Sequence, residues 1–402
     1  MLQVNEAVEM LLSQARPLAD FEDVALTSAL GRVLARPIIA PIDLPPHDNS
    51  AMDGYAIAAA DVLNHPGVRF KVSQSIAAGE DPRRLEPGSA SRILTGAVLP
   101  AGADTVVIQE NCVIDGDAIT IGGAVEQGMY VRYAGEDVQA GQCVIDRGEL
   151  LMSRHLAMIA ALGLDTVSVY RRLRVAIAST GNELIMPGHE LSAGKIYNSN
   201  HYCLSAQLQA MDCEIVDLGI LPDDFDETCR QLESVSQQVD LILTSGGVSV
   251  GDKDMVRIAI ETIGKLALWK IAMKPGKPLA FGDIAGTPVI GMPGNPVSQF
   301  VTFSVIVRPF IARLQGQKDC LPEKYLATAA FEYENRGDRE EFLRARVLVG
   351  KDGTNEVHKF DSQSSASLMS LLWANCLASI PPATRISPGQ DIYIISFAGL
   401  NA

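Results

Sequence analysis

Hydrophobic residues Val4, Ala7, Val8, Leu11 and Leu12 recur every three or four positions, which predicts an opening amphipathic helix. Residues 26–35 repeat that spacing with Thr27 as a plausible cap, and residues 150–164 repeat it with Ser153 as a possible cap and Gly163 as the stop. The 150–164 helix is expected to pack on the N-terminal helices and so bracket what lies between. There, residues 37–46, PIIAPIDLPP, are too proline-rich for a helix and read as an extended connector. Residues 68–120 alternate short apolar runs (FKVSQSI, SRILTGAVLP, DTVVIQE, AITI) with Gly, Pro and Asp, a strand-and-turn pattern. From Leu173 the pattern changes. LRVAIAS, CEIVDLG, VDLILTS, ALWKIA and TPVIGM are strand-like. Helical stretches at 200–211, 224–235 and 254–263 fall between most of them, and another at 296–314 follows the last. That alternation predicts a mainly parallel sheet covered by helices on both faces, a three-layer α/β domain. After Gln315 the strand pattern returns (YLATAAFEYE, EFLRARVLV, EVHKF, DIYIISF) and reads as a small β-barrel or sandwich.

Composition narrows the function classes. With 402 residues, 47% of them hydrophobic, the chain can fill two to four domain cores. A net charge of −15 argues against nucleic acid or an anionic membrane as the main partner, and makes any local cluster of positive charge informative. The seven cysteines include no CxxC pair and are odd in number, as expected of free thiols in a reducing cytosol. The six histidines show no HxxxH or HEXXH spacing, so no zinc site is expected. MLQVNEAVEMLL is acidic and unlike a signal peptide, and no run reaches the roughly 18 apolar residues of a membrane span. A cytoplasmic location is expected.

Candidate chemistry sits at predicted turns. In residues 239–254, VDLILTSGGVSVGDKD, an apolar strand runs into Ser245, Gly246, Gly247, Ser249 and Gly251, and Asp252 or Asp254 can cap the next helix. Strand, glycine loop and helix start form a geometry that holds a phosphate on backbone N–H groups; the alternative is a tight βα turn. Parallel sheets bind ligands at the carboxyl ends of their strands. Those ends carry Thr180-Gly181-Asn182-Glu183, Pro222-Asp223-Asp224, the glycine loop and Pro293-Gly294-Asn295-Pro296. The last turn is fixed by two prolines and leads into a helix with Ser298 near its first turn.

Lys270, Lys274 and Lys277 fall within KIAMKPGK, with no acid before Asp283. Pro275 and Pro278 restrict the backbone there. The cluster suits a tetrahedral oxyanion or phosphate; the alternative is an exposed hairpin with solubilising lysines. Residues 47–56, HDNSAMDGYA, make poor core and poor helix, so they form either a structural Asx-turn or a rigid turn presenting Asp53. Thr95 and Gly96 interrupt an apolar run. Arg132, Glu136 and Asp137 surround Gly135 and read, taken alone, as an exposed loop ion pair. Asp53, Asp137, Glu183, Asp223 and Asp254 are singly cap or turn residues; gathered together they suit Mg²⁺ bound with a polyphosphate.

DNSAMDGYA, ILTGAVLPAGADTVV, GEDV, STGNEL, TSGGVSVGDKD, MKPGKP, MPGNPVS and REEFLRAR resemble, in that order, the motif series of the molybdopterin molybdenumtransferases. These are the MoeA-type enzymes, also seen as the E domain of gephyrin. The resemblance covers nearly the whole chain. It implies four domains: a helical and extended linker domain (1–43 and 140–171), a β-rich inserted domain (44–139), an α/β molybdopterin-binding domain (172–318) and a C-terminal β-barrel domain (319–402). It implies a homodimer whose cleft lies between subunits, with the inserted domain of one facing the sheet domain of the other. The reaction implied is Mg²⁺-dependent cleavage of adenylylated molybdopterin with insertion of molybdate and release of AMP, downstream of a molybdopterin adenylyltransferase.

The residues carried over by the resemblance are these. Turnover is implied for Asp53, Thr95, Asp137, Glu183, Asp223, Asp254, Lys270 and Lys274. Mg²⁺ is implied for Glu183, Asp223 and Asp254, and molybdate for Lys274, Lys277, Ser298, Arg344 and Ser364 or Ser365. Pterin and phosphate contacts fall on Ser245, Gly246, Gly247, Ser249, Pro293, Gly294, Asn295 and Pro296. The dithiolene that chelates molybdenum belongs to the pterin, so no protein cysteine is required. The chain departs from the family at His47 (usually Phe), Asn182 (usually Asp), Pro222 (usually Arg) and in a serine-rich late turn, residues 364–367. Two alternatives stand beside this reading. Adenylyltransferase or nucleotide-pyrophosphatase chemistry on the sheet domain alone would not need residues 44–139 or those after 318. A gephyrin-like scaffold would not need all five acids.

Overall fold

The computed structural model describes residues 1–65, 67–248, 255–350 and 353–400. Its central domain is a six-stranded sheet in the order Glu214–Leu221, Arg174–Thr180, Leu241–Ser245, Thr287–Met292, Ala280–Ile284, Lys265–Trp269. The first four strands are parallel; Ala280–Ile284 runs antiparallel to them, and Lys265–Trp269 pairs antiparallel with Ala280–Ile284. The apolar run at 241–243 is central because it is buried on both sides. Leu241 and Leu243 pack with Val175, Ile177 and Ile290, while Ile242 packs with Ala176 and Val289 on the other face. That is the period-two alternation of a strand expressed in a continuous hydrophobic run.

Helices Phe225–Ser236 and Met255–Ile263 cover one face. Asp224 starts the first of them by accepting the Glu227 amide at 2.8 Å. On the other face lie Ser199–Gln209 and the helical run 296–314, interrupted by a π-turn at Phe303–Val307. Run 296–314 is long and apolar enough to cross a membrane, but 89% of it is buried inside the protein, so the core accounts for its composition.

Two expectations for the linker domain are corrected. Helix Val4–Gln14 does not pack beside residues 150–164. Val4, Ala7, Val8 and Leu11 enter the core of the sheet domain with Val175, Leu243 and Phe310, and the Ala272 amide donates to the Leu2 carbonyl at 2.8 Å. Residues 26–35 form only a short 3-10 turn, Leu26–Ser28, followed by extended backbone. Val33 and Leu34 bridge to Leu150 and Val169 and enter different apolar clusters, the alternation of a strand. Helix Ser153–Ala161 closes the linker core over Leu34, Ile38 and Val169. Arg32, 5% exposed, pairs with Glu22 of its own domain at 2.6 Å and ties that domain to the sheet domain through Asp212 at 3.1 Å.

The inserted domain is a mixed sheet in the order Thr105–Ile108, Gly54–Ile57, Ser89–Ile93, Arg69–Ile76, Ala118–Ile121, Cys112–Asp115, with apolar clusters on both faces. In the C-terminal domain, strand Glu340–Val349 pairs with both Asn355–Lys359 and Cys376–Ile380. Tyr325–Ala329 and Asp391–Ser396 complete the ring, closing a five-stranded barrel around Leu343, Ala345, Val357 and Ile394.

Candidate active site

Strands Arg174–Thr180, Leu241–Ser245 and Thr287–Met292 end at two adjoining cavities of about 550 and 320 Å³, which share Thr180, Glu183, Pro278, Pro293 and Gly294. Ser245, Asn295, Pro296 and Ser298 line the larger; Asp223, Gly246 and Gly247 line the smaller. Seven residues predicted to hold phosphate therefore meet in one cleft: Ser245, Gly246, Gly247, Pro293, Gly294, Asn295 and Pro296. Ser249 and Asp254 lie outside the described residues. Gly246 and Gly247 have left-handed φ of 98° and 72°. A Cβ on Gly246 would stand 2.7 Å from Thr180 Oγ1, and one on Gly247 2.8 Å from Val256 Cγ2. Only glycine lets this backbone turn so close to Thr180 and Val256, and the Gly246 amide donates to the Met292 carbonyl at 2.9 Å.

Sequence reasoning missed Asn200. Its side chain is 8% exposed, and Nδ2 donates to Ser245 Oγ at 2.7 Å and to the Gly294 carbonyl at 2.8 Å. One amide thus pins the two anion-facing loops to each other. It also leaves the Ser245 hydroxyl proton free to donate into the cavity. The available signal was the run Asn198-Ser199-Asn200, where Asn198 caps the helix by accepting the His201 amide at 3.2 Å.

Glu183 and Asp223 share the smaller cavity. Asp223 Oδ2 accepts the Asn182 amide at 3.2 Å, and the Glu183 carboxylate folds over Gly181, where a Cβ would meet Oε2 at 2.6 Å. Two carboxylates on one cavity are oxygen donors of the kind that suit a hard divalent cation. Among the described residues no group of three His, Cys, Asp or Glu gathers at metal-binding distance.

Asp53, Thr95 and Asp137 lie in the inserted domain. Asp53 Oδ1 accepts both the backbone N–H and the hydroxyl of Thr95 at 2.8 Å, which holds its carboxyl below the usual aspartate range. Asp137 is exposed and donates its amide to the Leu44 carbonyl at 3.0 Å. The expected ion pair around Gly135 is not formed among the described residues; Glu136 instead accepts the Tyr133 amide at 2.9 Å and closes its own turn. Within one chain, no hydrogen bond or ion pair among the described residues joins residues 44–139 to the sheet domain.

The cationic residues divide. Ser298 lines the larger cavity, and Lys277 is exposed beside Pro278 at its edge. Lys270, held at φ 70°, lies 3.7 Å from the centre of the Trp269 ring, whose Nε1 donates to the Val248 carbonyl at 3.2 Å. Lys274 Nζ pairs with Glu341 at 2.9 Å. Arg344, predicted on the oxyanion, is only 1% exposed and lines neither cavity. Its guanidinium donates to the Phe342 carbonyl at 3.0 Å, Ser370 Oγ at 3.3 Å and the Ser364 carbonyl at 3.4 Å, and burial lowers its pKa to about 10. It therefore braces the serine turn from behind. That turn seats on the helix start, with Val297 donating to the Ser365 carbonyl at 3.1 Å, and Ala366, rather than Ser364, lines the cavity.

Comparison with known proteins covers almost the whole chain. Residues 2–163 match the MoeA N-terminal region (domain I and II), residues 176–313 a probable molybdopterin binding domain, and residues 327–397 the MoeA C-terminal region (domain IV). The chain is 36% identical to a molybdopterin molybdenumtransferase of Haemophilus influenzae, over 99% of each protein. It is 37% identical to one of a Nostoc species, over 94% of this chain and 88% of that protein. The fold is similar to the crystal structure of a molybdopterin biosynthesis MoeA protein from Pyrococcus horikoshii, with a TM-score of 0.85 and 30% identity over 98% of this chain and 100% of that one.

Proposed function

This chain belongs to the MoeA-type molybdopterin molybdenumtransferases, which insert molybdenum into molybdopterin, and from that premise we propose how its cleft carries the reaction. The substrate is adenylylated molybdopterin; water cleaves its phosphoanhydride into AMP and the terminal phosphate of molybdopterin, and molybdate delivers the metal to the pterin dithiolene, one oxo group leaving as water with the two thiol protons. The amides of Gly247, Gly294 and Asn295 bind the phosphates at the cavity floor, Ser245 donates to them, and the Gly246 amide, donated to the Met292 carbonyl at 2.9 Å, fixes the glycine turn against the neighbouring strand. Glu183 and Asp223, with Asp254, would hold Mg²⁺. When bound there, Mg²⁺ neutralises charge on the anhydride oxygens. Lys274, Lys277 and Ser298 bind molybdate at the barrel side of the larger cavity. All seven cysteines are free and none lines either cavity, in keeping with a metal chelated by the pterin's own sulfurs.

The observation that carries this reading is the joined pair of cavities. Two turns, Gly246-Gly247 and Pro293-Gly294-Asn295-Pro296, line it, Glu183 lines both cavities and Asp223 the smaller, and Pro278, next to Lys277, borders both. Asp53, Thr95 and Asp137 complete the cleft from a second copy of the chain in a cytoplasmic homodimer, and a separate adenylyltransferase supplies the substrate. The matches at residues 2–163 and 327–397 favour this over sheet-domain chemistry alone.

The test is incubation of purified protein with adenylylated molybdopterin, Mg²⁺ and molybdate. AMP is expected to appear in step with molybdenum uptake; AMP release indifferent to molybdate overturns the reading. A second expectation concerns Asn200. Asn200→Ala removes the tie between the loops and is expected to cost about 1–2 kcal/mol of stability. It should also raise KM for the adenylylated substrate about tenfold, with kcat within about twofold of wild type. Thermal melting and steady-state kinetics check both, and an unchanged KM would leave Asn200 a purely structural residue.

A further inference from the structure

Glu341 is a buried carboxylate at the seam between the sheet domain and the barrel. Its side chain is 7% exposed, and the Lys274 side chain above it is 48% exposed. Strand Met273–Lys274 runs parallel to the first residues of Glu340–Val349, with Lys274 in register with Glu341. The carboxylate has two donors, Lys274 Nζ at 2.9 Å and the Tyr333 hydroxyl. A carboxylate this deep needs such partners, because desolvation penalises it unless charge and hydrogen bonds compensate. The arrangement also acts on the lysine. A free lysine has four side-chain torsions and orders itself only on binding. One of the three ammonium protons of Lys274 is committed to Glu341, which leaves two for an oxyanion arriving from solvent.

We propose that Glu341, anchored by Tyr333, is a positioning residue that holds the Lys274 ammonium for molybdate, so that the barrel domain sets the oxyanion affinity of the sheet domain. The inference rests on the molybdate role of Lys274 given above. It extends that role to Glu341 and Tyr333, which, like Lys274 itself, line neither cavity.

The test compares Glu341→Gln, Lys274→Ala and the double variant in the full-length protein, measuring KM separately for molybdate and for adenylylated molybdopterin. Gln keeps the shape of Glu341 and removes its charge. Each single variant is expected to raise the molybdate KM about tenfold and leave the pterin KM within about twofold. The double variant is expected to be no worse than Lys274→Ala alone, because Glu341 acts through Lys274. A general packing defect would raise both KM values together. A wild-type molybdate KM in Glu341→Gln beside a raised one in Lys274→Ala overturns the positioning role, as does a double variant whose defect is the product of the two. A wild-type molybdate KM in Lys274→Ala removes the lysine from the site and this inference with it. Should Glu341→Gln fail to fold, Tyr333→Phe keeps the carboxylate and loses one anchor. It is expected to raise the molybdate KM about threefold, and an unchanged value overturns the proposal.

Discussion

Asp53→Asn is expected to fold as wild type and to lose molybdate-dependent AMP release by about 100-fold or more. Asparagine retains an oxygen that can accept the Thr95 N–H and hydroxyl bonds now made by the carboxylate at 2.8 Å. The exposed turn therefore keeps its shape, and the thermal midpoint should move by no more than about 1 °C. What disappears is a negative charge that Thr95 keeps ionised below the ordinary aspartate range. Removing one well-placed electrostatic group from a reaction of this kind typically costs two to three orders of magnitude. Mixing the Asp53→Asn chain with a Glu183→Gln chain separates two architectures. If the cleft is shared between copies, the mixed dimer carries one site with both acids intact, and activity returns. If each chain builds its own cleft, the mixture stays as inactive as its parts. Undiminished turnover in Asp53→Asn alone removes this residue from the reaction.

Gly276→Ala is expected to damage both stability and oxyanion binding. Gly276 has φ of 114°, and a Cβ there would collide with Met273 Cε and stand 2.5 Å from Thr302 Oγ1. Left-handed strain costs on the order of 1–3 kcal/mol, and the clash adds to it because Thr302 is fully buried. A loss of about 2–4 kcal/mol should lower the sheet-domain melting temperature by roughly 5–10 °C. The loop carries Lys274 and Lys277 on either side, so its displacement is expected to raise the molybdate KM at least about tenfold. Gly286→Ala is the control. Its φ is 89°, but a Cβ there meets nothing within 4 Å. It should cost about 1 kcal/mol and leave molybdate kinetics unchanged. A variant of Gly276 that melts and turns over like the control would show that the loop absorbs the methyl group without moving the lysines.

Much of the sheet domain was readable because its signals are local. The run at 241–243, the capping Asp224 and the glycine and proline turns each act within a few residues. Strand Ala280–Ile284 escaped notice because Gly282 and Asp283 break its apolar pattern. The glycine is nonetheless required, since a Cβ there would run into the Lys265 carbonyl. Residues 26–35 look helical by spacing, yet Val33 and Leu34 face different cores, a choice made by neighbours remote in sequence. Arg344 shows the same limit at the site. A lone arginine in a strand carries no mark of whether its guanidinium faces a ligand or braces a turn. The link from Asn200 to Ser245 and Gly294 joins residues far apart along the chain, and no pattern in a single sequence marks such a pair. Asp53 and Glu183 lie in different domains that no hydrogen bond or ion pair joins within one chain among the described residues, so no local pattern marks them as a pair.

Helix Val4–Gln14 is separated from the helical run that covers it, 296–314, by most of the chain, including the whole inserted domain. At about 5–20 residues per second, ribosomal synthesis of that interval takes roughly 15–60 s. Throughout that time the greasy stripe of Val4, Ala7, Val8 and Leu11 waits without its berth, a natural client for a holding chaperone. The same geometry governs dissection: a fragment cut at residue 172 leaves an empty trough along Val175, Leu243 and Phe310, and should be soluble only when a peptide spanning residues 1–18 is supplied in trans.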